Sequence, residues 1–168
     1  MKSHPRHDIC LLLSKVILDY QAKGKQTFST RIWSWEDFIN QPLPTEDVQK
    51  VGGDFKAVAN QSNKYVRAAI KLLGAEQSTN AVLYTPQSVM DWHTNSDLVG
   101  KRIYYSYTKG NAAFMYINNQ GERVIDYDNM GDWTCREFDI KGADNPLWHT
   151  IWTEKERYAF GFLVKNES

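Results

Sequence analysis

Apolar residues recur at helical spacing near the start of the chain and in short strand-like runs through its second half. Ile9, Leu12, Leu13, Val16, Ile17 and Tyr20 lie three or four positions apart, which predicts a helix with one buried face. Asp8 is placed to cap its N-terminus and Gly24 to end it. A second helix is predicted after Asp54, with Phe55, Val58, Tyr65, Val66, Ala69, Ile70 and Leu73 on one face and Gly74 at its stop. Between the two, residues 28–38 are rich in aromatics and read equally as strand or loop, and Pro42-Leu43-Pro44 is a break.

From Asn80 onward the texture changes. β-rich runs alternate with turn residues at roughly ten-residue intervals, the spacing of an all-β sandwich or barrel. The runs are Ala81–Thr85, Val89–Thr94, Arg102–Thr108, Ala112–Ile117, Arg123–Tyr127, Thr134–Ile140, Leu147–Trp152 and Arg157–Val164, and Asn118-Asn119-Gln120-Gly121 marks a hairpin turn. The expected fold class is therefore mainly β with N-terminal helices (α+β). Residues 1–168 are expected to form one domain, with 8–74 as helical support against one side of a sheet and 80–164 as the β core.

Composition narrows the function classes. Aromatics make up 13% of the chain, with six Trp, nine Tyr and seven Phe, so many core positions are expected to hold rings. Twenty basic residues balance twenty acidic ones, and a zero net charge disfavours nucleic acid or an anionic membrane as partner. Cys10 and Cys135 are far apart and in no metal-binding pair; they read as buried free thiols in a reducing compartment. The run Ile9–Leu13 is too short to span a bilayer and no cleavage site follows it, so the expected location is cytoplasmic.

Two of the four histidines share one context. Trp92-His93-Thr94 and Trp148-His149-Thr150 each fall in a predicted strand, where alternation points each His away from its Trp and Thr. If the two strands are neighbours, both imidazoles converge inside, and two neutral imidazoles are good ligands for iron, zinc or copper. The competing reading is two unrelated half-buried histidines, each satisfied by a backbone carbonyl. A third ligand stays open. Asn95 follows His93 at i+2 and offers only a neutral amide oxygen, while Asp97 and Asp91 share the alternation and carry charge. Arg157 begins the last strand with small Ala159 and Gly161 on its face, so its guanidinium has room to grip a carboxylate; an ion pair with Glu154 or Glu156 explains it equally. Tyr84 is placed to add a phenolic hydrogen bond to the same anion. Tyr104, Tyr105, Tyr107 and Trp133 are candidates for a substrate mouth.

Tyr84-Thr85-Pro86, Trp92-His93-Thr94-Asn95-Ser96, Trp148-His149 and Arg157-Tyr158 together resemble the Fe(II)/2-oxoglutarate-dependent oxygenase superfamily, and most closely the small oxygenases of bacteriophage genomes. The likeness covers roughly Ala81 to Val164. It implies a double-stranded β-helix, a jelly-roll or cupin-like barrel, with His93 and His149 as iron ligands and Asn95 or Asp97 as the third. It also implies Arg157 and Tyr84 on the carboxylate of 2-oxoglutarate. The implied activity is a dioxygenase, an oxidoreductase that hydroxylates or demethylates a substrate the sequence does not name, with Fe(II) and 2-oxoglutarate as cofactor and cosubstrate. Asn95 stands where most members carry an Asp, and Leu163 where AlkB-like repair enzymes carry a second Arg, which argues against that subfamily. The alternative is a catalytically inactive binding protein on the same scaffold, sequestering a ligand or blocking a host protein.

Overall fold

The structure, a computed structural model, describes residues 1–24, 31–44, 55–96, 98–142 and 144–165. Helix α1 (His7–Ala22) buries Ile9, Leu13, Val16, Ile17 and Tyr20, the stripe its spacing predicts. Asp8 is not its cap. Arg6 holds that position, and Asp8 lies in the first turn, where its carboxylate meets Arg6 Nη2 at 2.8 Å and complements the helix dipole. Gly24 follows the C-cap Lys23 at φ 68°, a conformation that favours glycine.

The second predicted helix begins later than its apolar stripe suggested. Asn63 caps it by accepting from the Tyr65 and Val66 amides, so the helix is Lys64–Leu73 and ends at Gly74 with φ 65°. Asp54, its expected start, lies outside the described residues. In chain order the helices are α1, a short α2 (Trp35–Ile39) with a Ser34/Asp37 capping box, and α3 (Lys64–Leu73). Two short strands also come from the N-terminal half, β1 (Lys2–Ser3) and β2 (Phe55–Ala57). Phe55 therefore sits in a strand, paired with Tyr84, rather than on a helix.

All eight β-rich runs form strands: β3 (Gln77–Tyr84), β4 (Ser88–His93), β5 (Gly100–Thr108), β6 (Ala112–Ile117), β7 (Arg123–Tyr127), β8 (Trp133–Ile140), β9 (His149–Thr153) and β10 (Arg157–Val164). They make two antiparallel sheets, β1-β8-β5-β10-β3-β2 and β4-β9-β6-β7. Pairings such as β10 with β3 and β9 with β4 bring the ends of the β region together, as a jelly roll requires. The expected barrel is not closed: no described strand belongs to both sheets, and the larger sheet ends on the short edge strands β1 and β2.

Each sheet has two working faces. On the outside of the larger one, Ile103, Tyr105, Trp133, Cys135, Tyr158, Phe160 and Phe162 pack under α1 and α3. Outside the smaller sheet, Phe38 of α2 packs on Val89, Trp92, Ala113, Met115 and Trp152. Between the sheets the apolar cluster is smaller, with Val82, Met90, Phe114, Phe138 and Ile151 among its members, and the space it leaves is a cavity. Alternation therefore sends Tyr105, Tyr107 and Trp133 to the helix side, and of the four proposed mouth residues only Tyr104 lines the cavity. Cys135 is buried and Cys10 half-buried, both free. Among the described residues no helix is long and apolar enough to cross a membrane.

Candidate active site

The histidine pair is set by a bulge. On β4 two residues, Asp91 and Trp92, separate Met90 from His93, while on β9 only Thr150 separates their partners Ile151 and His149. An extra residue on one strand breaks the two-residue alternation. Met90 and His93 consequently both face the cavity, and Trp92 packs outside against α2. Asp91 is turned outward, where its carboxylate lies 3.5 Å from Arg31 Nη2 with its side chain about a third exposed. It does not share the face of His93 as strict alternation predicts.

His93 and His149 are direct cross-strand partners with ring centroids 4.1 Å apart. Each Nδ1 lies against a backbone carbonyl two residues earlier, His93 on Asp91 O at 2.7 Å and His149 on Leu147 O at 2.8 Å. A carbonyl can only accept, so Nδ1 carries the proton in both rings and Nε2 keeps its lone pair. Burial, the largest cause, pushes the His93 pKa down to about 4, against the pull of the Asp91 carbonyl. Burial and the neighbouring His93 push His149 well below its ordinary value. Both rings are thus neutral at pH 7, with Phe114 stacked on His149 at 5.2 Å.

Asn95 reaches the pair by a left-handed turn at φ 57°, which asparagine tolerates better than most residues. Its Nδ2 donates to His149 Nε2 at 3.2 Å. Turning the amide over exchanges Nδ2 for Oδ1 and would present an oxygen there. Asp97 lies outside the described residues. Among the described residues, no three of His, Cys, Asp and Glu come together as a metal-binding group.

At another part of the cavity, Arg157 and Arg136 converge on Asp128. Arg157 Nε donates to Asp128 Oδ2 and Arg136 Nη1 to Asp128 Oδ1, both at 2.7 Å, and Arg136 Nε adds a 2.7 Å bond to Asp126. Burial alone would raise the Asp128 pKa, but the two guanidiniums overcome it and hold the carboxyl well below the usual range. Arg157 is therefore oriented by Asp128 rather than by Glu154 or Glu156. Its guanidinium sits 5.4 Å from the centre of the Tyr84 ring. Tyr84 is buried, which drives its pKa up to about 12, and its hydroxyl lies 3.4 Å from Met90 Sδ.

The cavity, of about 200 Å³, brings His93, His149, Asn95, Arg157 and Tyr84 together. That is small beside the roughly 300–1,000 Å³ of drug-sized pockets and suits a small organic acid. Sequence reasoning missed Asp128, Arg136 and Arg102. Arg102 shares an alternating face with Tyr104 and Ser106, a signal that was available; nothing local ties Asp128 to Arg157.

No protein-family model matches the chain, and no curated protein matches its sequence. Its structure is similar to a prolyl-4-hydroxylase from Pseudomonas putida, at 12% identity and a TM-score of 0.51 over 98% of this chain and 92% of that one. At that identity the likeness shows the fold, the jelly-roll-like pair of sheets. Peruvianin-I, a cysteine peptidase from Thevetia peruviana latex, is 15% identical over 86% of this chain and 84% of that one; its TM-score of 0.39 carries no argument.

Proposed function

We propose that the protein is an Fe(II)/2-oxoglutarate-dependent oxygenase that hydroxylates or demethylates a small substrate. The observation that carries this is the His93–His149 pair, two neutral imidazoles aimed into one cavity of a fold shared with a prolyl-4-hydroxylase. The donor set fits a divalent metal at two positions and supplies an amide, Asn95, at the third. Asp97 remains the candidate for a carboxylate ligand. Iron and 2-oxoglutarate, held there, would supply the oxidising chemistry: dioxygen would convert the keto acid to succinate and CO2, and its second oxygen atom would go to oxidising the substrate.

The chain's own part begins with tautomer and charge. The Asp91 and Leu147 carbonyls fix each ring with Nε2 free, and burial keeps the rings unprotonated, so a metal need not displace a proton. Asn95 Nδ2 donates to the lone pair of His149 Nε2 at 3.2 Å, a bond that would have to give way for His149 to hold a metal. Arg157, held by Asp128 through Nε and sharing a side-chain hydrogen bond with Tyr84, would turn its guanidinium to the far carboxylate of the keto acid. Phe114, Phe138 and Ile151 limit water around the pair.

Succinate formation from 2-oxoglutarate under air, with Fe(II) and a reductant, tests the proposal. It should appear in the native protein and vanish in His93→Ala and His149→Ala variants that remain folded. Activity that persists in both variants would exclude the pair as metal ligands. One observation favours a second reading, a binding protein without iron chemistry: among the described residues no carboxylate joins the histidines. Ligand binding by the folded protein with no succinate under any divalent metal would select it.

A further inference from the structure

The three buried arginines of the cavity are not equivalent. Arg136 and Arg157 each have a carboxylate at 2.7 Å. Arg102 is only 3% exposed, and among the described residues no carboxylate pairs with it. Its Nη2 donates to the Leu98 carbonyl at 2.7 Å, its Nη1 lies 3.5 Å from the Tyr104 hydroxyl, and its Nε has no partner among the described residues. A buried cation without an anion is strongly unfavourable, and a ligand carboxylate would supply the missing charge.

A second bulge places acceptors nearby. Gly161 pairs with Asn80 and Phe162 with Ser78, so Thr79 is an extra residue on β3. Thr79 and Asn80, adjacent in sequence, consequently both line the cavity, and Thr79 Oγ1 and Asn80 Oδ1 also lack partners among the described residues. A Cβ on Gly161 would collide with Thr79, Asn80 and the Tyr104 ring, so all three crowd one spot. The Tyr104 side chain therefore links that spot to the Arg102 guanidinium, joining one cationic donor to two acceptors that have no partner among the described residues.

We propose that Arg102, Thr79 and Asn80 form the substrate subsite, and that the substrate is a small zwitterion, a free α-amino acid. Its carboxylate pairs with Arg102 and its ammonium donates to Asn80 Oδ1 and Thr79 Oγ1. This rests on the oxygenase reading only in calling the ligand a substrate; Arg157 and Tyr84 remain with the keto acid.

The test is thermal stabilisation and calorimetric binding of the full-length protein against a panel of free L-amino acids and their carboxamides, without iron or oxygen. At least one amino acid should bind, its amide at least tenfold more weakly. Arg102→Met should abolish binding without lowering the melting temperature of the unliganded protein, because it removes a buried charge that no carboxylate among the described residues balances. Asn80→Ala should weaken the amino acid more than its deaminated acid. No binding by any amino acid to folded protein, or undiminished binding in Arg102→Met, overturns the subsite. In parallel, 2-oxoglutarate binding is measured anaerobically with Mn(II) present, in Arg102→Met and the native protein. Its loss in the variant would give Arg102 to the keto acid and overturn the assignment. Amino-acid binding with no keto-acid binding by the native protein would keep the subsite and remove the oxygenase reading.

Discussion

Asp128→Asn removes the charge on which Arg136 and Arg157 converge. The carboxylate is 1% exposed and takes two bonds of 2.7 Å from guanidiniums that are 2% and 4% exposed. Breaking one side of a buried ion pair costs about 3–5 kcal/mol, because the remaining charge stays buried. Asp126 still serves Arg136, so Arg157 bears most of the loss. For a chain of this size about 2–4 °C of melting temperature accompanies each kcal/mol, so the variant should melt about 6–20 °C lower at pH 7. The acid limb supplies an independent check. The folded pKa of Asp128 is depressed below its unfolded value near 4, so its stabilisation is present above that value and is lost as pH falls below it. The gap between native protein and variant should therefore narrow below about pH 4. Urea unfolding followed by tryptophan fluorescence from pH 7 to pH 3 measures both. A loss under about 1 kcal/mol at pH 7, the scale of an exposed pair, or a gap that persists unchanged in acid, would refute the buried triad.

Asn95→Asp puts a carboxylate beside the pair, at a backbone position aspartate also tolerates, and should tighten Mn(II) or Co(II) binding by about tenfold or more, ~1.4 kcal/mol, in a calorimetric titration; unchanged affinity would remove Asn95 from the metal site. His93 is neutral when folded and titrates near 6.5 when unfolded, so the unfolded chain binds more protons between about pH 6.5 and pH 4 and the apo-protein loses stability as pH falls through that window, by up to ~1.4 kcal/mol per pH unit for each such histidine. His93→Phe should flatten that slope in denaturant unfolding, and an unaltered slope would mean the ring is not buried neutral. Phe38→Ala, on the outside of the smaller sheet, should cost about 3–5 kcal/mol yet leave keto-acid affinity unchanged once the protein is folded, since its cluster is separate from the cavity.

Period alone made much of this fold readable. Ile9 to Tyr20 repeats as a helix and buries as one, and the runs from Ala81 to Val164 became strands because each is bounded by turn residues. The identical triplets put His93 and His149 on like faces only on the condition that their strands are neighbours, and that adjacency is a matter of strand pairing the triplets do not encode. What alternation could not show is where it breaks. Nothing in Ser88 to His93 announces the bulge that turns Asp91 toward Arg31, and nothing in Gln77 to Tyr84 announces the one that brings Thr79 in beside Asn80. The partner of Arg157 was hidden for another reason: Asp128 is 29 residues away and reaches it from the smaller sheet's side of the cavity. Phe55 was misplaced because a three-residue edge strand has too few positions to set a period against the helical stripe that follows it.

On the proposed function, His93, His149 and Arg157 form one site for a metal and a keto acid. Anaerobic titration of the apo-protein with Fe(II) and 2-oxoglutarate tests it most directly, through the weak visible charge-transfer band of the chelate. The band should appear in the native protein and be lost in folded His149→Ala. Native protein that is folded and shows no band would exclude a shared metal and keto-acid site.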